Sequence, residues 1–183
     1  MFIFGHLGIT LGLFKLLEHK IPVLKGRISY VGVTLGSMLP DLIDKPIGRV
    51  IFSETIDNGR IFAHTLLFFV FLCSVSFYLW KRKNDIRFMF LSAASFCHLI
   101  ADNMWETPAT LFWPLMGWHF PSNPGTYGGA LDYFQILFTY AYTPSLDYVF
   151  ISEVTGFMVL LFLNIRYLRQ KYLLYVISGT VKL

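Results

Sequence analysis

The chain has 183 residues, of which 55% are hydrophobic and only 14% charged, against roughly a quarter charged in an ordinary soluble domain. Nineteen phenylalanines and ten tyrosines are more aromatic surface than a small water-facing exterior can hide, which points away from a soluble domain and toward a membrane protein. The net charge of +4 is gathered in clusters that follow a membrane topology, with no recognisable nucleic-acid module, so direct nucleic-acid binding is not expected.

In chain order, the first expected helix is Phe2–Leu17. It has no basic leader, and a cleaved signal peptide is not expected. Lys20, Lys25 and Arg27 form a short basic loop, followed by a second helix at Ile28–Leu42. Gly5, Gly8 and Gly12 punctuate the first of these helices, and Gly32 and Gly36 the second. Small residues let membrane helices approach closely. Both runs are shorter than a full span, which suits tilted or re-entrant helices. Asp44–Arg60 balances three acids with three bases. Ile61–Trp80 has no Asp, Glu, Lys or Arg, and twenty helical residues extend about 30 Å, the thickness of a bilayer core. Lys81, Arg82, Lys83 and Arg87 surround the connection to a fourth helix, Phe88–Met104.

Trp105–Asp147 carries Glu106, Asp132 and Asp147 but no Lys or Arg. Within it, Trp113 and Trp118 favour the headgroup zone, and Pro108, Pro114, Pro121 and Pro124 interrupt helical bonding. This reads as an interfacial cap or a broken helix, and a hairpin of two short elements there would preserve the topology. The fifth helix is Tyr148–Leu168, whose apolar run to Asn164 is broken only by Glu153. Arg166, Arg169, Lys171 and Lys182 occupy the tail. With the amino terminus outside, the basic clusters all fall on the cytoplasmic side, as the positive-inside rule requires. Cys73 and Cys97 lie in expected spans and suggest no disulfide framework. The expected fold is thus an all-α polytopic membrane bundle of about five transmembrane or partly re-entrant helices. It is one integral domain over 1–183, multi-pass in the cell or inner membrane, with 105–147 as an extracytoplasmic or interfacial aromatic segment.

That topology makes a prediction about chemistry. His6 falls near the outer start of the first helix, and Asp41 and Asp44 near the outer end of the second. His64 stands at the outer start of the third, His98 and Asp102 toward the outer end of the fourth, and Glu153 in the outer part of the fifth. Seven potential ligands therefore share one membrane depth, although ionisable groups within a bilayer are costly and need partners. Imidazoles with carboxylates suit zinc, and carboxylates with water also suit manganese or magnesium. A cation would offset the mutual repulsion of the acids. Each fragment also has a plainer reading: interhelical hydrogen bonds for His98–Asp102, a capped helix end for Asp41–Asp44 and a packed core side chain for His64. Glu153 has two, as a base or ligand and as an ion-pair partner of Arg49 or Arg60. Arg60, four residues before His64, can snorkel to the headgroups or meet a phosphate. His19 and His119 are poorer candidates, one in the basic loop and the other in the aromatic segment.

Taken together, Gly5-His6, Leu39-Pro40-Asp41-Leu42-Ile43-Asp44, Arg60-Ile61-Phe62-Ala63-His64-Thr65 and His98-Leu99-Ile100-Ala101-Asp102 resemble the YdjM/DUF457 family. The likeness continues through Trp113-Pro114. Its members are membrane-bound proteins described as metal-dependent hydrolases, some of them labelled LexA-binding. The resemblance implies His6, Asp41, Asp44, His64, His98 and Asp102 as the metal-site set. The order of carboxylate, histidine and H-x-x-x-D is also similar to part of the zinc-dependent phospholipase C and P1 nuclease pattern, though the later histidine pair of those enzymes has no counterpart here. Leu66 stands where relatives often carry a serine.

The leading functional expectation is metal-assisted hydrolysis of a phosphoester or lipid-like substrate. Asp44, Asp102 or Glu153 would accept a proton, and Arg60 would offset phosphoryl charge. The alternatives are a non-catalytic metal-binding membrane scaffold and an ion- or proton-coupled transporter. The absence of H-E-x-x-H and G-x-S-x-G argues against a zincin protease or a serine lipase.

Overall fold

The computed structural model describes residues 1–122 and 130–180; Pro124 and Lys182 lie outside the described residues. The described chain is helical, with no strand. Its helices are α1 (Ile3–Lys20), α2 (Tyr30–Pro46), α3 (Leu66–Lys83), α4 (Arg87–Ala101), the single turn α5 (Pro108–Leu111), α6 (Ala130–Tyr142) and α7 (Tyr148–Thr180). Their boundaries follow from capping. Ser29 accepts the Gly32 N–H at the start of α2, and Thr65 accepts the Phe68 N–H at the start of α3, each satisfying a donor that the first turn leaves open. Asn84 ends α3 at φ 52°, and Asn103 turns the chain after α4 at the same φ, a region that Asn enters more readily than most residues.

Two boundaries differ from the sequence expectation. The apolar run Ile61–Trp80 is not one helix, because residues 61–65 are unwound and α3 begins at Leu66. The second helix continues past Leu42 to Pro46 and then into a π-type turn at Ile47–Ile51. Between residues 107 and 146 the described chain forms two short elements, α5 and α6, one of the arrangements the sequence left open.

The principal packing pairs are α2 with α4 and α1 with α7. α3 also packs on α4, and α1 on α2. Two of these crossings depend on glycine. A Cβ on Gly8 would run into the Gly156 carbonyl, and one on Gly36 into the Leu91 carbonyl, so both helix pairs meet backbone to backbone. Among the described residues, sixteen polar side chains are buried against eleven apolar ones, while Phe71, Phe77, Phe157, Phe162 and many other large apolar groups face outward. That is the reverse of a water-soluble fold. One helix, over Tyr148–Tyr172, is long and apolar enough among the described residues to cross a membrane by length and composition. Cys73 and Cys97 are both free.

Candidate metal centre

Asp41 sits on the last turns of α2, where Asp44 follows one turn later. His98 closes the last turn of α4, and Asp102 is its C-terminal cap. His64 comes from the unwound segment before α3, and His6 from the second turn of α1. All six side chains are buried; the three histidines have no exposed surface.

Four of them converge. Asp41, His64, His98 and Asp102 each offer a donor atom, all within 4.8 Å of one another. The two Nε2 atoms of His64 and His98 are 3.2 Å apart. Asp41 Oδ1 is 3.6 Å from His64 Nε2 and 3.7 Å from His98 Nε2, and Asp102 Oδ2 is 3.6 and 4.0 Å from the same two atoms. Two donors on one tetrahedral zinc stand about 3.3–3.4 Å apart, given bonds of about 2.0–2.1 Å. The observed separations are a slightly expanded version of that cage.

The outer nitrogens explain why the inner ones matter. His98 Nδ1 is 2.7 Å from the Ser37 carbonyl oxygen, which can only accept, so Nδ1 carries the proton. His64 Nδ1 is 2.7 Å from Asp44 Oδ2, which fixes the same tautomer. The Nε2 atom of each imidazole is thereby turned toward that of the other. Two nitrogens so placed repel unless a proton or a cation lies between them. Asp41 Oδ1, in the same space, is buried with no hydrogen-bond partner, which is costly for a charged oxygen.

Asp44 stands behind this cage rather than in it. Its Oδ2 accepts the N–H groups of Ile61 and His64 and the His64 ring N–H, and its Oδ1 accepts the Ala63 N–H. With four donors and no exposure, it orients His64 from the outer layer and has no lone pair directed at a substrate. Asp44, expected as a ligand and base, stands here outside the four-donor group. Glu153, expected as a base, ligand or ion-pair partner, lies outside the four-donor group. It accepts the backbone N–H groups of Phe2, Phe4 and Gly5 and the Tyr142 hydroxyl, capping α1 from α7. Arg49 instead pairs with Asp57 at 2.7 Å.

Arg60, whose side chain is 41% exposed, reaches Asp102 Oδ2 at 3.0 Å. Asp102 Oδ1 meets the Met1 amine at 2.7 Å and His6 Nε2 at 3.1 Å, although the histidine contact lies outside hydrogen-bonding geometry. Lys45, which the sequence did not mark as a site residue, binds Asp41 Oδ2. Its position four residues after Asp41 on one helix was the available signal. On the open side of Asp102 lies a cavity of about 340 Å³, whose lining includes Lys45, Arg49, Arg60, Tyr133 and Tyr140. Each of its three cationic side chains is paired with a carboxylate: Lys45 with Asp41, Arg49 with Asp57 and Arg60 with Asp102. His119 is exposed in the aromatic segment, and His19 is exposed near the end of α1.

Comparison with curated proteins and with solved structures gave no match in either case. A family model described as YdjM inner membrane protein matches residues 1–176, nearly the whole chain. The match takes in every residue of the cage, the supporting Asp44 and the helix that caps α1, and it places the chain at a membrane. This chain belongs to the YdjM inner membrane protein family.

Proposed function

We propose that this protein is a membrane-bound, metal-dependent hydrolase acting on a phosphoester, including phosphoesters of lipid-like molecules. The observation that carries this reading is the pair of facing Nε2 atoms, framed by Asp41 and Asp102, beside a cavity lined by Lys45, Arg49 and Arg60. The donor set of two imidazoles and two carboxylates suits zinc, with manganese or magnesium as further occupants. When bound, such an ion supplies Lewis acidity toward a phosphoryl oxygen and makes a neighbouring water more acidic.

This chain's own residues supply the rest. Arg60 and Lys45 neutralise the charge of the phosphoryl group and orient it at the cavity mouth. Asp102 borders both cage and cavity, where it would hold the metal while paired with Arg60. Asp44 and the Ser37 carbonyl keep the two imidazoles in one tautomer. In this reading the helices form a multi-pass bundle and the site opens to the extracytoplasmic side. Its support is the placement of the basic clusters and the outward-facing apolar surface. The lipid bilayer is then both the solvent of the fold and the source of an amphiphilic substrate.

The test is purification in mild detergent, metal analysis, and assay of chromogenic phosphate monoesters and diesters. Wild type retains a stoichiometric divalent metal and hydrolyses at least one ester class; His64→Ala and Asp102→Ala lose both. Equal metal content in all three proteins rejects the assignment. Metal retained without turnover favours a structural ion in a membrane scaffold, a second reading that the complete burial of His64 and His98 supports.

A further inference from the structure

α1 and α7 run side by side in the same direction. Ser152 and Glu153 lie against Gly5, Gly156 against Gly8, and Val159 against Gly12. Equal steps along the two helices keep them level, so His19 and Arg166, each two turns past the Gly12–Val159 contact, stand at one height. From the Gly8–Gly156 crossing onward, a groove of about 560 Å³ opens between the helices. Leu13, Leu16, Val159 and Phe162 form its apolar walls, and Leu16 and Phe162 are more than half exposed.

The ionisable side chains that line this groove are all basic: Lys15, His19 and Arg166. All three stand at the end away from the crossing. Lys15 is paired with Glu18 at 2.6 Å, so the unspent polar capacity belongs to the other two. His19 and Arg166 are exposed and make no side-chain hydrogen bond or ion pair among the described residues. From Ile9 to His19 the groove follows about 15 Å of helix, half of a bilayer core of about 30 Å. That is the reach of the acyl chains in one leaflet. His6 lies about 20 Å from His19 along α1, so the groove is separate from the metal centre.

We propose that the groove between α1 and α7 holds one anionic phospholipid. Its phosphate and headgroup meet Arg166 and His19, with Lys15 beside them, and its acyl chains run along Leu16, Val159 and Phe162 toward the Gly8–Gly156 crossing. A guanidinium binds phosphate oxygens through charge-assisted, often bidentate hydrogen bonds, and basic pockets between membrane helices select acidic headgroups. A zwitterionic lipid fits the same walls but brings a cation to the basic end. The bound lipid joins the first and last helices without touching the cage, so the inference stands apart from the hydrolase reading.

The protein is reconstituted in vesicles of equimolar phosphatidylglycerol and phosphatidylcholine with identical acyl chains, then re-extracted in mild detergent. Native mass spectrometry identifies the lipid that stays bound. Wild type retains one phosphatidylglycerol per chain, favoured over phosphatidylcholine about fivefold or more, the worth of one basic group near a membrane surface. His19→Gln combined with Arg166→Gln abolishes the preference, whereas Arg169→Gln, on the same helix outside the groove, keeps it. The double variant, altered only at exposed positions, retains the wild-type thermal midpoint in lipid-free detergent. Equal retention of the two lipids by wild type overturns the proposal, and so does an undiminished preference in the double variant. The first of these outcomes is read on unmodified protein and needs no variant to fold.

Discussion

Asp44 governs the chemistry of its neighbours without touching the space between them. Its carboxylate gathers three backbone N–H groups of residues 61–64 and the ring N–H of His64, so one side chain shapes the segment and sets the tautomer of the ring it carries. Asp44→Asn keeps the volume but replaces one acceptor oxygen with an N–H₂ group facing donors. Such a change leaves buried donors unpaired at a cost of about 1–3 kcal/mol, and loss of an orienting partner weakens metal affinity about 10–100-fold. Chelator competition on the detergent-purified variant checks the second figure. Unchanged affinity would show that the tautomer is held by something else. D-x-x-D places Asp41 and Asp44 one turn apart, so both read alike in sequence. Which of them spends its lone pairs on backbone N–H groups depends on the unwound course of residues 61–65, and no periodicity shows that.

At the scale of elements, helix identity was largely legible and helix ends were not. The uncharged run Ile61–Trp80 is continuous to the eye, yet its first five residues are unwound because Asp44 binds their N–H groups, and Thr65 caps the helix that starts at Leu66. The Thr before an apolar run was the clue to that start. α6 was foreseen only as one of two short elements between 107 and 146, without bounds, because its aromatic sequence merges with the proline-rich segment before it. Glu153 shows a different gap: a lone carboxylate in an apolar helix reads as a functional acid, and no sequence pattern reveals that it accepts three N–H groups at the start of α1 and the Tyr142 hydroxyl. Glu153→Gln is expected to lower the thermal midpoint in detergent, from a loss of about 1–3 kcal/mol, while metal content stays at the wild-type level. Loss of metal with the fold intact would return Glu153 to the site.

For the whole molecule, the membrane class comes directly from composition, and the outward apolar surface agrees with it. The gathering of Asp41, His64, His98 and Asp102 was anticipated from the common depth that the expected topology gives them, since polar groups in apolar helices have few places to meet. Topology itself is a prediction to be checked with single cysteines in a Cys73→Ser, Cys97→Ser background. In intact cells an impermeant maleimide should label His119→Cys directly, but Lys83→Cys only after permeabilisation. The reverse pattern would put the site on the cytoplasmic face.

The clasp between Glu153 and the start of α1 joins residues some 150 positions apart in sequence. His6 lies just beyond that clasp, whereas Asp41, His64, His98 and Asp102 come from the middle of the chain. A chain truncated before Tyr148 has every residue of the four-donor cage but lacks the carboxylate that accepts the first amides of α1. Such a truncation is expected to loosen the amino-terminal end of α1, which then rests on its packing against α2 and α4 alone.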